Sequence, residues 1–349
     1  MKNGFAPINS IPSEVFSFIP WYLGEDDVDE NLTTLTHVCR GWRELLIARP
    51  SLWARLDCKN ANKTRVYLER SKLSPLGVSL YKDVDTTYLE DAFLSVVPHI
   101  SRLKSLSIFG RVDILKNLTP RISYPTPLLR ESMVTVDYNP TPVLEETLFN
   151  GDLSSLRALS LAGVITHLPW ENLSELTTFT LSRVPKYKIS ITQLLDFFEN
   201  AHRLKDITLR HSVPTSSDAP PGRVVPLPCL KNLTIFARPE CSVLLDHLPI
   251  PVGASLIMEF EFHGEASPLV DFLPTALGNF KNVSSITSAS LCLNEVEKYV
   301  RLDGPSGGLC VLGHWIDLDD TSPFLLDSRI VRNPEAGDYK IQTSSNGCN

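Results

Sequence analysis

From residue 76 onward the apolar positions recur in one short pattern. LKSLSI (103–108), LRALSL (156–161), LTTFTL (176–181), LKDITL (204–209) and LKNLTI (230–235) share apolar residues at positions one, four and six. Positions four and six alternate as strand residues do, so both side chains point to one face. With the weaker LRESMV at 129, the units begin at 103, 129, 156, 176, 204 and 230, in steps of 26, 27, 20, 28 and 26 residues. The same step predicts units near 256, 283 and 309, where the chain reads LIMEFEF, VSSITSASLCL and LCVLGHW, and a step back lands on LGVSL at 76–80. ITQLLDFFENAHRL (191–204) instead has apolar residues at 191, 194, 195, 197 and 198, the spacing of a helix that buries one face.

This pattern resembles the leucine-rich repeat, in which each unit supplies one short strand and a returning helix or loop. The resemblance implies an α/β solenoid over 76–330, with parallel strands on the concave face, helices and loops on the convex face, and a tail at 331–349. A single unit cannot bury its own leucines, so the core exists only between stacked neighbours. The sequence departs from the family pattern: the asparagine or cysteine usual after the strand is irregular, and Ser132 replaces a leucine. Exposed strand positions, Arg157, Thr177, Lys205, Asp206, Lys231 and Asn232 among them, mix signs and name no ligand.

The first fifty-six residues follow a different, helical rhythm. Ile11, Val15 and Ile19 are spaced by four; Pro12 suits a first helical position, Glu14 favours the positive end of the helix dipole, and Pro20 predicts an end or kink. Acidic EDDVDEN (25–31) reads as a solvated loop. Leu32, Leu35, Val38, Trp42 and Leu45 or Leu46 then form a second stripe, with Gly41 as a candidate break and Pro50 as its end. Ser51-Leu52-Trp53 looks like a closing turn whose tryptophan packs back. Leu35, Leu45, Leu46 and Trp53 are expected inside, because apolar residues at helical spacing usually face their own core.

Taken in order, Ile11-Pro12-x-Glu14-Val15-Phe16, Ile19, Leu32-x-x-Leu35-x-x-Val38-Cys39-Arg40-x-Trp42-Arg43 and Pro50-Ser51-Leu52-Trp53 resemble the F-box. The match spans 8–56, and VYLERSKLSPLGVSL (66–80) looks like the stretch that joins F-box to repeats in fungal F-box proteins, with a helical linker at 57–75. Ile11 in place of leucine, Pro20 and the acidic insertion depart from the pattern. The resemblance implies a substrate-receptor subunit of a Skp–cullin–F-box ubiquitin ligase: Ile11, Pro12, Val15, Ile19, Val38, Cys39 and Trp42 toward the Skp-family adaptor, Arg40 and Arg43 at the rim. Cullin and a RING subunit follow through the adaptor, and the repeats hold a target protein. Ubiquitin transfer then belongs to other subunits, with no catalytic residue, cofactor or metal in this chain. A scaffold that binds the same adaptor without promoting degradation would carry the same features.

Composition narrows the setting. The chain has 349 residues, 43 % hydrophobic and 21 % charged, with a formal charge of −7, which argues against a general nucleic-acid binder. Seven cysteines include no CxxC, so neither a disulfide framework nor a zinc site is signalled and a reducing compartment, cytoplasm or nucleus, is expected. No segment near the start resembles a secretory signal, and LPIPVGASLIM (248–258) is too short and too interrupted to span a membrane.

Catalytic motifs are missing from the pattern: there is no phosphate loop, GxSxG elbow, HExxH or ordered kinase set. GPSGG (304–308) reads as a turn between strands, and SRVPKYKIS (182–190) as an exposed loop after one. His37, His211, His247, His263 and His314 show no ligand spacing.

Overall fold

The computed structural model describes residues 11–16, 18–22, 28–81, 86–110, 117, 119–122, 124–136, 143–144, 153–166, 173–184, 189–214, 218–237, 242–260, 288–293, 298–303, 307–313 and 341–344. The protein is α/β, and the chain divides into two units, residues 1–109 with 126–129 and residues 110–125 with 130–349. The strands at 55–56 and 76–81 pair with each other within the first unit.

The first unit opens with helices α1 (Ser13–Phe16), α2 (Ile19–Tyr22), α3 (Val28–Val38) and α4 (Arg40–Ile47), then a 3₁₀ turn, Pro50–Trp53. Pro20 does not end the first helix; the chain breaks before it and Pro20 sits in the first turn of α2, where no intrahelical N–H is needed. The expected loop at 25–31 is helical from Val28 onward, and residues 25–27 lie outside the described residues. The break expected near Gly41 falls at Cys39, two residues before it, where the backbone is extended. Strand β1 (Arg55–Leu56), helix α5 (Ala61–Ser71), β2 (Leu76–Tyr81), α6 (Thr86–Val96) and β3 (Leu103–Gly110) follow, with β1, β2 and β3 parallel. Helix α5 lies within 57–75: Asn60 caps it by accepting from Lys63 N–H, and Tyr67 and Leu68 are buried.

The second unit is built on parallel strands β4 (Glu131–Val136), β6 (Ala158–Ala162), β8 (Thr178–Ser182), β9 (Asp206–Arg210), β10 (Asn232–Ala237), β11 (Ser255–Phe260) and β14 (Gly308–Gly313), in that spatial order. A separate short pair joins β5 (Val143–Leu144) to β7 (Ile165–Thr166). The apolar template is buried at all three positions: Leu156, Leu159 and Leu161 in one unit, Leu204, Ile207 and Leu209 in another. Five of the first leucines close a turn begun three residues earlier by another buried apolar residue, as Leu156 N–H bonds Leu153 O at 3.0 Å and Leu176 N–H bonds Leu173 O at 3.0 Å, while Leu129 closes one begun by the buried Thr126. The working repeat is therefore three residues longer than the strand template.

The strands leave the sheet through a left-handed residue: Gly163 at φ 67°, Arg183 at 55° and His211 at 51°. Gly163 is required twice over, since a Cβ would also stand 2.6 Å from Val136 O. Helix α7 (Ile191–Asn200) returns behind the sheet as its spacing predicts, with Leu194, Leu195, Phe197 and Phe198 buried and a Ser190–Gln193 capping box at its start. A shorter helix, α8, covers Ser242–Leu245.

The step of about 26 residues fails after β11. Strand β14 pairs directly with β11, while β12 (Ser288–Leu293) and β13 (Lys298–Asp303) continue beyond β14 as an antiparallel hairpin. Alternation alone identified 283–293 as strand-like but holds no information on direction. The strands on either side of GPSGG, β13 and β14, pair antiparallel; residues 304–306 lie outside the described residues, and Gly307 lies so close to Ala254 O that a Cβ has no room. Within the expected tail, β15 (Ile341–Ser344) pairs in parallel with β12.

Candidate functional site

The helices before residue 54 are fastened by a few specific contacts. Trp53, fully buried, donates its indole N–H to Leu46 O at 2.9 Å, meets Tyr67 edge-on at 4.9 Å, and carries Arg70 over its ring at 4.3 Å. Leu32, Leu46 and Phe16 complete this interior. Phe16 packs edge-on against Trp42, ring centroids 4.8 Å apart, which joins α1 to α4. Arg43 Nε donates to Thr36 O at 2.8 Å and so satisfies a carbonyl near the end of α3. Charged pairs Arg49–Glu14 at 3.2 Å and Arg40–Glu44 at 2.7 Å lie outside, where each contributes little beyond orientation.

Against this closed interior, the sequence-derived contact set faces outward to different degrees. Val15 is 54 % exposed and Val38 55 %, while Pro12 and Cys39 are also exposed. Ile11, Ile19 and Trp42 are half-buried, and Trp42 is held by Phe16 rather than standing free. Cys39 has a local duty: its Sγ accepts the Trp42 backbone N–H at 3.5 Å, the N-cap of α4. Leu35, Leu46 and Trp53 are inside as their spacing requires, but Leu45 is 39 % exposed and joins the outer face.

Two further apolar residues were missed, Phe18 at 58 % exposed and Tyr22 at 87 %. Their own i, i+4 spacing was legible, but they stand off the Ile11–Val15–Ile19 stripe because the chain turns between α1 and α2. Exposed aliphatic and aromatic groups, with charged pairs around them, form the kind of surface that desolvates against a protein. His37 and Arg40 are exposed beside it, and Glu44 raises the already high pKa of Arg40 by hydrogen bond and charge, keeping that cation fixed.

Elsewhere the titratable groups do not converge. Among the described residues, no cluster of three histidine, cysteine or acidic residues is arranged to hold a metal. His247 is buried with Nδ1 2.8 Å from Arg223 O, His211 is exposed, and His263 and His314 lie outside the described residues, as does 185–188 of the SRVPKYKIS loop. Cys39, Cys58, Cys229 and Cys310 are in no disulfide; burial, aided by the charge of Asp57, pushes the Cys58 thiol up to about 12. No described helix is long and apolar enough to cross a membrane. No protein-family model matches the chain, and no curated protein matches it.

Proposed function

We propose that the chain is a non-catalytic substrate receptor of a Skp–cullin–F-box ubiquitin ligase. In this reading residues 8–56 are the F-box, docking on a Skp-family adaptor in the cytoplasm or nucleus, and a leucine-rich-repeat solenoid over 76–330 holds the target. The observation that carries it is the outward placement of Val15 on α1 and Val38 on α3, beside Phe16, Leu32 and Leu35, which the same two helices bury. Burying a valine side chain is worth about 1.5–3 kcal/mol, so a partner that covers both gains substantially while the free protein has no reason to expose them. Trp42, half-covered by Phe16, supplies a fixed aromatic edge beside them.

The strand ladder supports the second half of the reading, because an open sheet face with short polar side chains accepts a partner without rebuilding the core. Co-expression of the full chain with a Skp-family adaptor tests the proposal. A stable complex is expected on gel filtration, and separate elution at micromolar concentration contradicts it.

A further inference from the structure

Register sorts the exposed residues of the second unit into rows that the sequence leaves mixed. At the entry to five consecutive parallel strands, Arg157 N–H bonds Arg130 O at 2.7 Å, Thr177 N–H bonds Arg157 O, Lys205 N–H bonds Thr177 O, and Lys231 N–H bonds Lys205 O, each at 2.8 Å. These positions stand side by side, and four of the five are basic. Strands lie about 4.8 Å apart, so the row is about 19 Å long. Arg130, Arg157, Lys205 and Lys231 are exposed, and none has a carboxylate partner among the described residues. Two other arginines of this unit are neutralised: Arg203 by Glu175 at 2.6 Å, and Arg223 by Asp196 at 2.6 Å and Glu199 at 3.0 Å.

One residue further along, the row reads Glu131, Ala158, Thr178, Asp206, Asn232 and Ser255. It brings two carboxylates, and Asp206 already accepts from Asn232 Nδ2 at 2.6 Å. The strand entry is thus a strip of excess positive charge in a chain whose total is −7. We propose that this strip docks an extended, Asp/Glu-rich segment of the partner protein. Its identity as the target rests on the receptor reading above; the strip itself does not.

An extended peptide rises about 3.3 Å per residue, so roughly six residues match the strip. Such a peptide sets carboxylates opposite Arg130, Arg157, Lys205 and Lys231 and neutral residues opposite Glu131 and Asp206. A nucleic acid has uniform charge and cannot do the second, and the negative chain repels it as a whole.

The test is fluorescence anisotropy of the full chain with a labelled Glu-rich peptide, its Gln-for-Glu counterpart and a single-stranded oligonucleotide. The acidic peptide binds, the neutral one does not, and the K205E/K231E variant weakens binding about tenfold or more while K205R/K231R retains it. Absence of binding by the acidic peptide, equal binding by the neutral one, unchanged binding by a folded K205E/K231E, or tighter binding of the oligonucleotide overturns the proposal. Adaptor binding measured on the same samples separates the two readings: its loss with peptide binding intact breaks the receptor assignment and leaves the strip.

Discussion

The two apolar patterns of this chain end in opposite places. In the repeats every template position of the strands from β6 to β10 turns inward, and the outward strand positions are small, polar or charged apart from the half-buried Phe236, whose ring lies under Arg210 at 4.0 Å. In the first forty-seven residues the interior is closed by Phe16, Leu32 and Leu46, yet Val15, Phe18, Tyr22, Val38 and Leu45 remain outside. Repeats bury their leucines because each strand has a neighbour on both sides. The short helices have too few neighbours to cover both faces, and the uncovered one is where a second protein is expected.

Breaking the buried pattern produces the largest effect. Phe179 is fully buried with its ring 4.4 Å from that of Phe197. Phe179→Ala is expected to destabilise the protein by about 3–5 kcal/mol in urea unfolding, whereas Phe18→Ala changes stability by less than about 0.5 kcal/mol. Equal effects of the two would erase the contrast.

Next comes the backbone. Gly163 combines φ 67° with a carbonyl 2.6 Å from its would-be Cβ, and Gly163→Ala is expected to lower stability by about 1–3 kcal/mol, read from the unfolding midpoint.

A smaller effect is expected where a contact residue has a local role. Cys39→Ala removes the N-cap of α4 and costs about 0.5–1 kcal/mol by thermal unfolding, while Cys39→Ser keeps an acceptor and the stability. A cap serves the chain itself, so any further loss of partner binding in Cys39→Ser reports contact rather than folding.

The smallest change sharpens the inside–outside distinction without any mutation. Cys58 is buried with its pKa pushed up to about 12, so it stays a neutral thiol well above neutral pH, and the reactive thiolate forms only as pH nears that value. Mass spectrometry after alkylation at mildly alkaline pH should find Cys39 and Cys229 modified and Cys58 intact.

The strands were legible because three apolar positions per unit mark both the element and its buried face, from Leu106 in β3 to Met258 in β11. Helix α7 was legible for the same reason. What the pattern could not carry was direction and neighbourhood. The β12–β13 hairpin has the alternation of a parallel strand, and the basic row at Arg130, Arg157, Lys205 and Lys231 appears only when register is known. In the helical part, spacing placed Leu46 and Trp53 inside but misplaced Leu45. A stripe gives one face of a helix and does not say how far a neighbouring helix extends across it.

The contrast comes down to Val15 and Val38, the most exposed aliphatics described in α1 to α4. Isothermal titration of the full chain with a Skp-family adaptor, wild type against V15D/V38D, tests it directly. The account predicts measurable binding for the wild type, loss of about a hundredfold or more in the variant, and unfolding midpoints that agree. An adaptor that does not bind the wild type, or binds a folded V15D/V38D equally well, contradicts it.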